Sequence, residues 1–272
     1  MVPSRHARLR TGVLATLLLA ATLTTACSPA PALELPPEGA APDYQLGAAY
    51  APPEGVGIVA RDRTADPAAG VYSVCYVNAF QTQPGELDAW PAGLLLADAD
   101  GVVYDPAWPD EALLDTSSAS KRAQIAAIVE PWIRGCAESG FAAVEFDNLD
   151  TYARSAGALT FDDNLALAAA LIDVAHEAGL AAGQKNAAED AATLRARAGF
   201  DFVVAEECQA FDECDVYRAA YGEHVIDIEY SDTDVDFATA CRRASAPRSI
   251  VLRDRDLVAP DHDDYVFALC GR

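Results

Sequence analysis

Four short apolar runs in this chain each stop at a cluster of polar side chains that could carry out chemistry. The runs have the length of β-strands, and a continuous apolar run is typical of a parallel strand that is buried on both faces. In a (β/α) barrel such strands end on one rim, where catalytic side chains collect. The clusters after the four runs are Asp147-Asn148-Leu149-Asp150, Gln184-Lys185-Asn186, Glu206-Glu207-Cys208 and Glu229-Tyr230.

Helical segments alternate with these strands. From Ser118 to Ser139 apolar residues recur at helical spacing, and the same pattern runs from Phe161 to Gly179, a residue suited to ending a helix. This alternation predicts an α/β protein: one (β/α)8 TIM-like barrel over residues 44–272, stapled by disulfides. An open dinucleotide-binding sheet is disfavoured, because neither a GxGxxG turn nor a GxxxxGK[ST] loop is present. Other helices are expected near 188–198, 212–221 and 235–244, other strands near 44–48, 57–60, 71–78, 93–97 and 250–252, and rim loops over 79–117.

The first 26 residues have the form of an export signal. Three arginines precede an apolar stretch, residues 13–23, that is too short for a stable membrane anchor. The small residues before Cys27 resemble a bacterial lipobox, which would place a lipid on Cys27, and an ordinary secretory signal cut near Ala26 is the alternative. Both predict an exported protein, either secreted or held at the membrane through Cys27. Residues 27–43, rich in Pro and Ala, are predicted to be a tether.

The six cysteines that follow Cys27 favour disulfides, because an even number is typical of a domain that folds in an oxidising compartment. Fifteen pairings are possible for six cysteines. Cys208 with Cys214 is the favoured local pair, because the end of a strand and the start of the next helix would bring the two thiols together. We expect no metal and no cofactor, since no CxxC pair occurs and the histidines are scattered. For the remaining four cysteines, we expect Cys241 with Cys270 to staple the last helix to the C-terminus, which leaves Cys75 with Cys136.

The chain is strongly acidic, with 42 Asp and Glu against 19 Lys and Arg and a net charge of −23. Nucleic acid is disfavoured as a partner, because a binding protein for it needs a basic surface. An acidic field attracts polycations and speeds encounter with a cationic substrate. Solubility of an exported domain, or a salty habitat, accounts for the same charge without any role in binding. The net charge alone does not choose between these explanations.

Carboxylates at several strand ends suit glycoside hydrolysis. That reaction needs two carboxyl groups, one to attack or to activate water and one to protonate the leaving oxygen. Asp147 and Glu206 are the best-placed pair, since each ends an apolar run and one other strand lies between them. A barrel mouth can hold two such groups about 5 to 5.5 Å apart, as in retaining enzymes, or further apart, as in inverting ones. The sequence leaves both outcomes open.

Other rim residues are predicted to contact the substrate or to influence the two acids. Lys185 would lower the pKa of a neighbouring carboxylate, or form a structural ion pair. Asp150 would hold a substrate amine or cap the next helix. Trp90 and Trp108 could stack on a sugar ring, and Glu229 is a third strand-end acid that we expect to pair with Lys185. The predicted substrate-binding residues are Tyr76, Asn78, Asn148, Asp150, Lys185, Asn186, Glu229 and Tyr230.

Taken together, these motifs resemble glycoside hydrolase family 114, whose best-known members are endo-α-1,4-polygalactosaminidases. The resemblance covers about residues 44 to 272. It implies a TIM-like barrel with catalytic carboxylates at Asp147, assigned as nucleophile, and Glu206, assigned as general acid/base. The first strand departs from the family pattern, because aromatic residues are thin around Tyr44, so substrate contacts there are expected to differ. The elements that match, in order, are Cys75-Tyr76-Val77-Asn78, Glu145-Phe146-Asp147-Asn148-Leu149-Asp150, Gln184-Lys185-Asn186, Glu206-Glu207-Cys208, Glu213-Cys214 and Glu229-Tyr230.

The substrate that the resemblance implies is an α-1,4-linked galactosamine polymer, partly N-acetylated and therefore cationic. Our leading hypothesis is an exported, monomeric endo-glycosidase that cleaves this polysaccharide. A surface-anchored carbohydrate-binding protein on a barrel that no longer catalyses is one alternative, and a hydrolase of a different α-linked glycan is another. Retention of both acids favours catalysis, because a protein that only binds has no need of them.

Overall fold

The computed structural model describes residues 1–4 and 33–271. Residues from 33 onward belong to one compact unit that begins at Ala32. Apart from the first four residues, the predicted signal peptide (1–26) lies outside the described residues, and so does Cys27. No helix within the described ranges is both long and apolar enough to cross a membrane.

Eight parallel strands, counted over the described residues, form the centre of the fold. They follow one another in chain order around the sheet, which is the arrangement of a (β/α) barrel. The predicted fold class is therefore confirmed. Strand β11 is antiparallel to β10, and β4 and β5 form a separate hairpin in the loop after β3. The strands are β1 (Ala41–Gln45), β2 (Val56–Asp62), β3 (Tyr72–Asn78), β4 (Ala97–Asp98), β5 (Gly101–Val102), β6 (Ala143–Asp147), β7 (Ala181–Lys185), β8 (Phe202–Glu206), β9 (Val225–Tyr230), β10 (Ser249–Arg253) and β11 (Phe267–Leu269).

The helices connect consecutive strands, and the two longest begin at side-chain caps. At the start of α1 the Ser118 hydroxyl accepts the Lys121 backbone N–H, and α3 begins in a capping box of Thr160 and Asp163. Single turns of 3₁₀ helix occur at Leu87–Ala89, Ala92–Leu94 and Ala188–Asp190. The helices are α1 (Ala119–Ser139), α2 (Thr151–Arg154), α3 (Phe161–Glu177), α4 (Ala191–Ala198), α5 (Cys214–Tyr221) and α6 (Phe237–Ala240).

Alternate side chains of each strand face either the barrel lumen or the helices. Val74 and Ile228, for example, pack inside the lumen, whereas Phe146 packs outward with residues of α1 and α3. The lumen is tight near Gly183, where a Cβ atom would lie 2.5 Å from the Phe202 ring, so a larger residue does not fit. Because side chains alternate with a period of two, residues at even spacing along one strand share a face.

The first and last parallel strands meet through a side chain. Arg253 on β10 is fully buried, and its Nη1 donates to Asp43 Oδ1 at 2.8 Å and to the backbone carbonyl of Tyr44, both on β1. The loops beyond these strands also touch. A Cβ atom at Gly47 would lie 2.6 Å from the carbonyl oxygen of Asp256, so glycine permits this close approach. The ring of strands is thereby closed on the rim side.

Three disulfides join the described cysteines in the favoured pairing. Cys75 and Cys136 tie β3 to α1, and Cys241 and Cys270 tie the end of α6 to the C-terminal segment. The third bond closes the loop between β8 and α5, through Cys208 and Cys214. Such bonds are typical of a protein that folds in an oxidising compartment.

Two segments differ from the prediction. The described part of the predicted tether, residues 33–43, packs on the barrel: the Tyr72 hydroxyl donates to the Glu34 carbonyl at 2.7 Å, and Ala41 already begins β1. A Pro- and Ala-rich composition does not show that a segment pairs with a neighbouring strand. The predicted strand at 93–97 begins in a 3₁₀ turn that ends at Leu94. Leu95 forms an isolated antiparallel bridge with Leu114, and only Ala97 belongs to a strand, the two-residue β4.

Candidate active site

A cavity of about 520 Å³ opens at the carboxyl ends of the parallel strands. This is the rim on which barrel enzymes carry their active sites. The loops over residues 79–117 supply part of its wall, as predicted. The strand-end residues that line it are Tyr44, Asp62, Tyr76, Asp147, Lys185, Glu206 and Tyr230.

At the carboxyl ends of β6, β7 and β8 the chain turns away sharply. The residue just beyond each strand has a positive φ: 62° at Asn148, 49° at Asn186 and 62° at Glu207. Residues other than glycine rarely adopt this conformation, and asparagine tolerates it better than most. The turn leaves the last side chain of each strand pointing into the cavity while the backbone moves outward.

Lys185 lies between the two predicted catalytic acids. Its Nζ is 3.3 Å from Asp147 Oδ2 and 3.2 Å from Glu206 Oε2. The side chain is almost completely buried. Burial by itself would lower the pKa of Lys185, but the nearby carboxylates of Asp147, Glu206 and Glu145 raise it above its ordinary value. The residue is therefore a fixed cation at the centre of the site.

Asp147 is held by a tyrosine as well as by this ammonium group. The Tyr76 hydroxyl donates to Asp147 Oδ2 at 2.7 Å. The other carboxylate oxygen, Oδ1, accepts the backbone N–H of Asn148 at 2.7 Å. These three donors fix the orientation of the carboxylate.

Glu206 is held in a similar way. The Tyr230 hydroxyl donates to Oε1, and Asn186 Nδ2 donates to Oε2 at 3.0 Å. Asn186 Oδ1 also accepts the backbone N–H of Glu206 at 2.8 Å. Burial works to raise the pKa of Glu206, but Lys185, Tyr230 and Asn186 together lower it below its ordinary value. In the free site Glu206 is thus a carboxylate paired with the ammonium.

A third carboxyl group lies one layer deeper in the lumen. Glu145, two residues before Asp147 on β6, is fully buried and accepts a hydrogen bond from the Tyr44 hydroxyl. That hydroxyl in turn accepts from Lys185 Nζ at 3.1 Å. Burial raises the pKa of Glu145 to about 7. Neither Tyr44 nor Glu145 is among the predicted catalytic or substrate-binding residues. The period of two along each strand nevertheless places both on the lumen face.

Most of the predicted contact residues do line the cavity, and two do not. Asn78 is buried behind the wall, where its amide donates to Glu111 Oε2 at 2.9 Å and its Oδ1 accepts from Asn148 Nδ2. The prediction that Asn78 contacts substrate is wrong for this structure, because a loop side chain covers it. The predicted residues found in the cavity are Tyr76, Asn148, Asp150, Lys185, Asn186 and Tyr230.

Glu229 is the second exception. Its neighbour Tyr230 faces the lumen, so Glu229 faces outward, and its carboxylate accepts the Gln209 backbone N–H at 2.7 Å. Burial raises its pKa, and Asp227 on the same outward face is its close companion. The predicted pairing with Lys185 is therefore wrong.

Asp150 lies in the cavity wall next to α2. Arg154 Nη1 is 2.8 Å from its Oδ2, so the two form an ion pair one helical turn apart. The Asp150 side chain makes no capping hydrogen bond to α2. Burial raises its pKa, in spite of this arginine.

The two tryptophans of the rim segment have different surroundings. Trp108 is 53% exposed and lines the cavity, a position that suits a tryptophan ring for stacking on a sugar. Trp90 is buried and packs edge-on against Trp132 with 5.7 Å between ring centres, so it cannot stack on a substrate.

The cavity wall is acidic. Burial raises the pKa of Glu111 to about 7, with Asp147 and Asp105 contributing in the same direction. The two arginines of the wall are already paired, Arg154 with acids of the wall and Arg255 with Glu207 and Asp232. An excess of carboxylates therefore favours a cationic ligand. The acids that line the cavity are Asp62, Asp105, Glu111, Asp147, Asp150, Glu206 and Asp256.

A parallel barrel whose rim presents two carboxyl groups to one cavity has the architecture of a glycoside hydrolase. The chain belongs to glycoside-hydrolase family GH114, whose family model matches residues 22–272. It is therefore a glycosidase, an enzyme that hydrolyses O-glycosyl bonds.

Two solved structures of glycoside hydrolases are similar to this fold. Ega3 of Aspergillus fumigatus, crystallised in complex with galactosamine, is 25% identical with a TM-score of 0.67, and the match covers 82% of this chain and 94% of Ega3. The glycoside hydrolase domain of PelA from Pseudomonas aeruginosa is 16% identical with a TM-score of 0.58, covering 84% of this chain and 97% of that domain. The similarity to PelA supports the fold only. No curated protein sequence matches the chain significantly.

Proposed function

We propose that this glycosidase cleaves internal α-1,4 linkages of a partly deacetylated galactosamine polysaccharide, with Asp147 as nucleophile and Glu206 as general acid/base. One observation carries the proposal: the two carboxylates contact the same buried ammonium, Lys185 Nζ, from two strands of one cavity. The galactosamine in the Ega3 structure supports an amino sugar as the substrate class.

The spacing of the two acids favours a retaining reaction. The distances from Lys185 Nζ, 3.3 Å to Asp147 Oδ2 and 3.2 Å to Glu206 Oε2, limit the separation of these oxygens to at most about 6.5 Å. Only a straight line through the nitrogen would reach that limit. Retaining enzymes hold their carboxyl groups about 5 to 5.5 Å apart, and inverting enzymes about 6.5 to 9.5 Å.

In the first step, Asp147 attacks the anomeric carbon while the protonated form of Glu206 gives its proton to the oxygen of the leaving sugar. Because the pKa of Glu206 is lowered, this form is populated at acidic pH. The bond from the anomeric carbon to that oxygen breaks, and a glycosyl ester forms on Asp147. In the second step, Glu206 takes a proton from water, and the water oxygen attacks the same carbon and releases Asp147. The Tyr76 hydroxyl and Lys185 stabilise Asp147 as a carboxylate before attack and as a leaving group after it.

The charge of the cavity supports a cationic polymer. Free amines on the polysaccharide carry positive charge at neutral pH, and the wall presents carboxylates that the paired arginines do not neutralise. The protein's net charge of −23 acts in the same direction at longer range.

The test is a panel of glycans with mass spectrometry of the products. The protein is incubated with partly deacetylated α-1,4-polygalactosamine, with its fully N-acetylated form and with a neutral α-1,4-glucan, and E206Q serves as the matched inactive control. We expect oligosaccharides from the partly deacetylated polymer and none from E206Q. Products from the neutral glucan alone would identify a different α-linked substrate, and no products from any polymer would refute the proposal.

A further inference from the structure

A second cavity, of about 310 Å³, adjoins the active site. It shares three lining residues with the first cavity, Asp150, Asn186 and Glu206, so the two meet at the proposed acid/base. Asp147, in contrast, lines only the first cavity. A polymer that passes Glu206 would therefore leave the first cavity and enter the second.

Phe211 is an exposed aromatic residue in the wall of the second cavity. Its side chain is 64% exposed, on the loop between β8 and α5. The Cys208–Cys214 disulfide closes this loop, and the Phe211 backbone N–H bonds the Glu207 carbonyl at 2.9 Å. The disulfide and this hydrogen bond restrain the loop that carries the ring. An apolar ring held in water at the edge of a carbohydrate site is suited to stacking on a sugar face.

Tyr217 supplies an independent observation. Only 1% of its surface is exposed, yet it lines the second cavity. A tyrosine hydroxyl in a cavity wall can donate a hydrogen bond to a sugar oxygen and accept one from a sugar hydroxyl or amine. Glu189 and Glu213 in the same wall favour a ligand that carries positive charge.

We infer that the second cavity binds the amino sugar on the leaving-group side of the cleaved bond, with its ring on Phe211 and a hydroxyl bonded to Tyr217. This inference rests on the proposed function. Glu206 donates its proton to the leaving oxygen and lines both cavities, whereas Asp147, which attacks the anomeric carbon, lines only the first. The sugar beyond the leaving oxygen must therefore lie on the far side of Glu206.

The test compares two substrates that differ in whether they fill the second cavity. The first is a partly deacetylated α-1,4-galactosamine hexasaccharide, and the second is α-galactosaminyl fluoride, whose leaving group is one atom. For F211A and for Y217F, kcat/KM on the hexasaccharide is expected to fall by about twofold to tenfold. The value on the fluoride is expected to stay at the wild-type level. V216A is the matched control, since Val216 is 45% exposed on α5 and lines neither cavity.

Three outcomes would count against the inference. If F211A and Y217F both cleave the hexasaccharide as V216A does, the second cavity does not bind the leaving sugar. If both lose activity equally on the two substrates, the residues act through the fold, and the inference is overturned. If the wild type cleaves neither substrate, the proposed function itself has failed. Melting temperatures like that of V216A would show that the two variants are folded.

Discussion

Replacing Lys185 with methionine is expected to move the pH profile of hydrolysis upward. The ammonium lies 3.2 Å from Glu206 Oε2 and is the main group that lowers the pKa of Glu206. At this distance two unit charges attract by about 5 kcal/mol for an effective dielectric constant of about 20. Water that enters the vacated space replaces part of this attraction. We therefore expect a displacement of about one to three pH units, the range usual for a carboxylate beside a cation.

The assay is kcat/KM on the partly deacetylated polymer as a function of pH, which reports the free enzyme. Glu206 must carry a proton to act as acid, and its lowered pKa places the loss of wild-type activity at acidic pH. In K185M this alkaline limb should lie about one to three pH units higher. Lys121, the chain's other lysine, pairs with Asp115 away from the cavity. K121M changes the net charge by the same amount, so it is the matched control. Its alkaline limb should lie at the same pH as that of the wild type.

A folded K185M whose alkaline limb coincides with that of the wild type would refute this reasoning. Loss of the buried cation also leaves carboxylates facing one another, at a cost of about 3 to 5 kcal/mol in stability. In the variant the folded pKa of Glu206 is raised, so stability is retained at low pH and lost as the pH rises through that value. Circular dichroism at each assay pH shows which points come from folded protein.

Two further predictions concern buried charges outside the catalytic pair. Burial raises the pKa of Glu145 to about 7. Ionisation of Glu145 therefore lowers the stability of the wild type as the pH rises from about 5 to 8. E145Q does not titrate, so in urea unfolding its free energy of unfolding should fall by about 3 kcal/mol less over this pH range. Equal pH dependence in both proteins would contradict this. R253M leaves Asp43 buried without its cation and should lower the free energy of unfolding by about 3 to 5 kcal/mol. R134M, the control, breaks only exposed ion pairs and should cost less than about 1 kcal/mol. An equally small loss of stability in R253M would show that Arg253 does not close the barrel between β10 and β1.

The strand ends that form the site could be predicted because two local signals agree there. Asp147, Lys185 and Glu206 each end an apolar run, and parallel strands bring their carboxyl ends to one rim. The sequence pattern does not show which of two consecutive strand residues faces the lumen. β9 is buried on both faces, so its apolar pattern does not distinguish Glu229 from Tyr230.

The remaining differences arise from contacts between residues that are distant in the sequence. Asn78 shares the face of Tyr76 on β3, but Glu111 from the rim loop covers it. The loops over residues 79–117 lack periodicity, so no local signal places Trp108 in the cavity and Trp90 in the core. The surroundings of these residues depend on how the rim loops pack against the barrel. Secondary-structure propensity and residue spacing do not determine that packing.

The most direct test of the central claim is the rate at which D147N and E206Q hydrolyse partly deacetylated α-1,4-polygalactosamine. E229Q is the matched control, because Glu229 is a strand-end acid that faces away from the cavity. We predict that both D147N and E206Q lose at least about a hundredfold in kcat while they keep the wild-type melting behaviour, and that E229Q keeps its rate. A folded D147N or E206Q that retains a rate within tenfold of the wild type would contradict the assignment of these two acids as the catalytic pair.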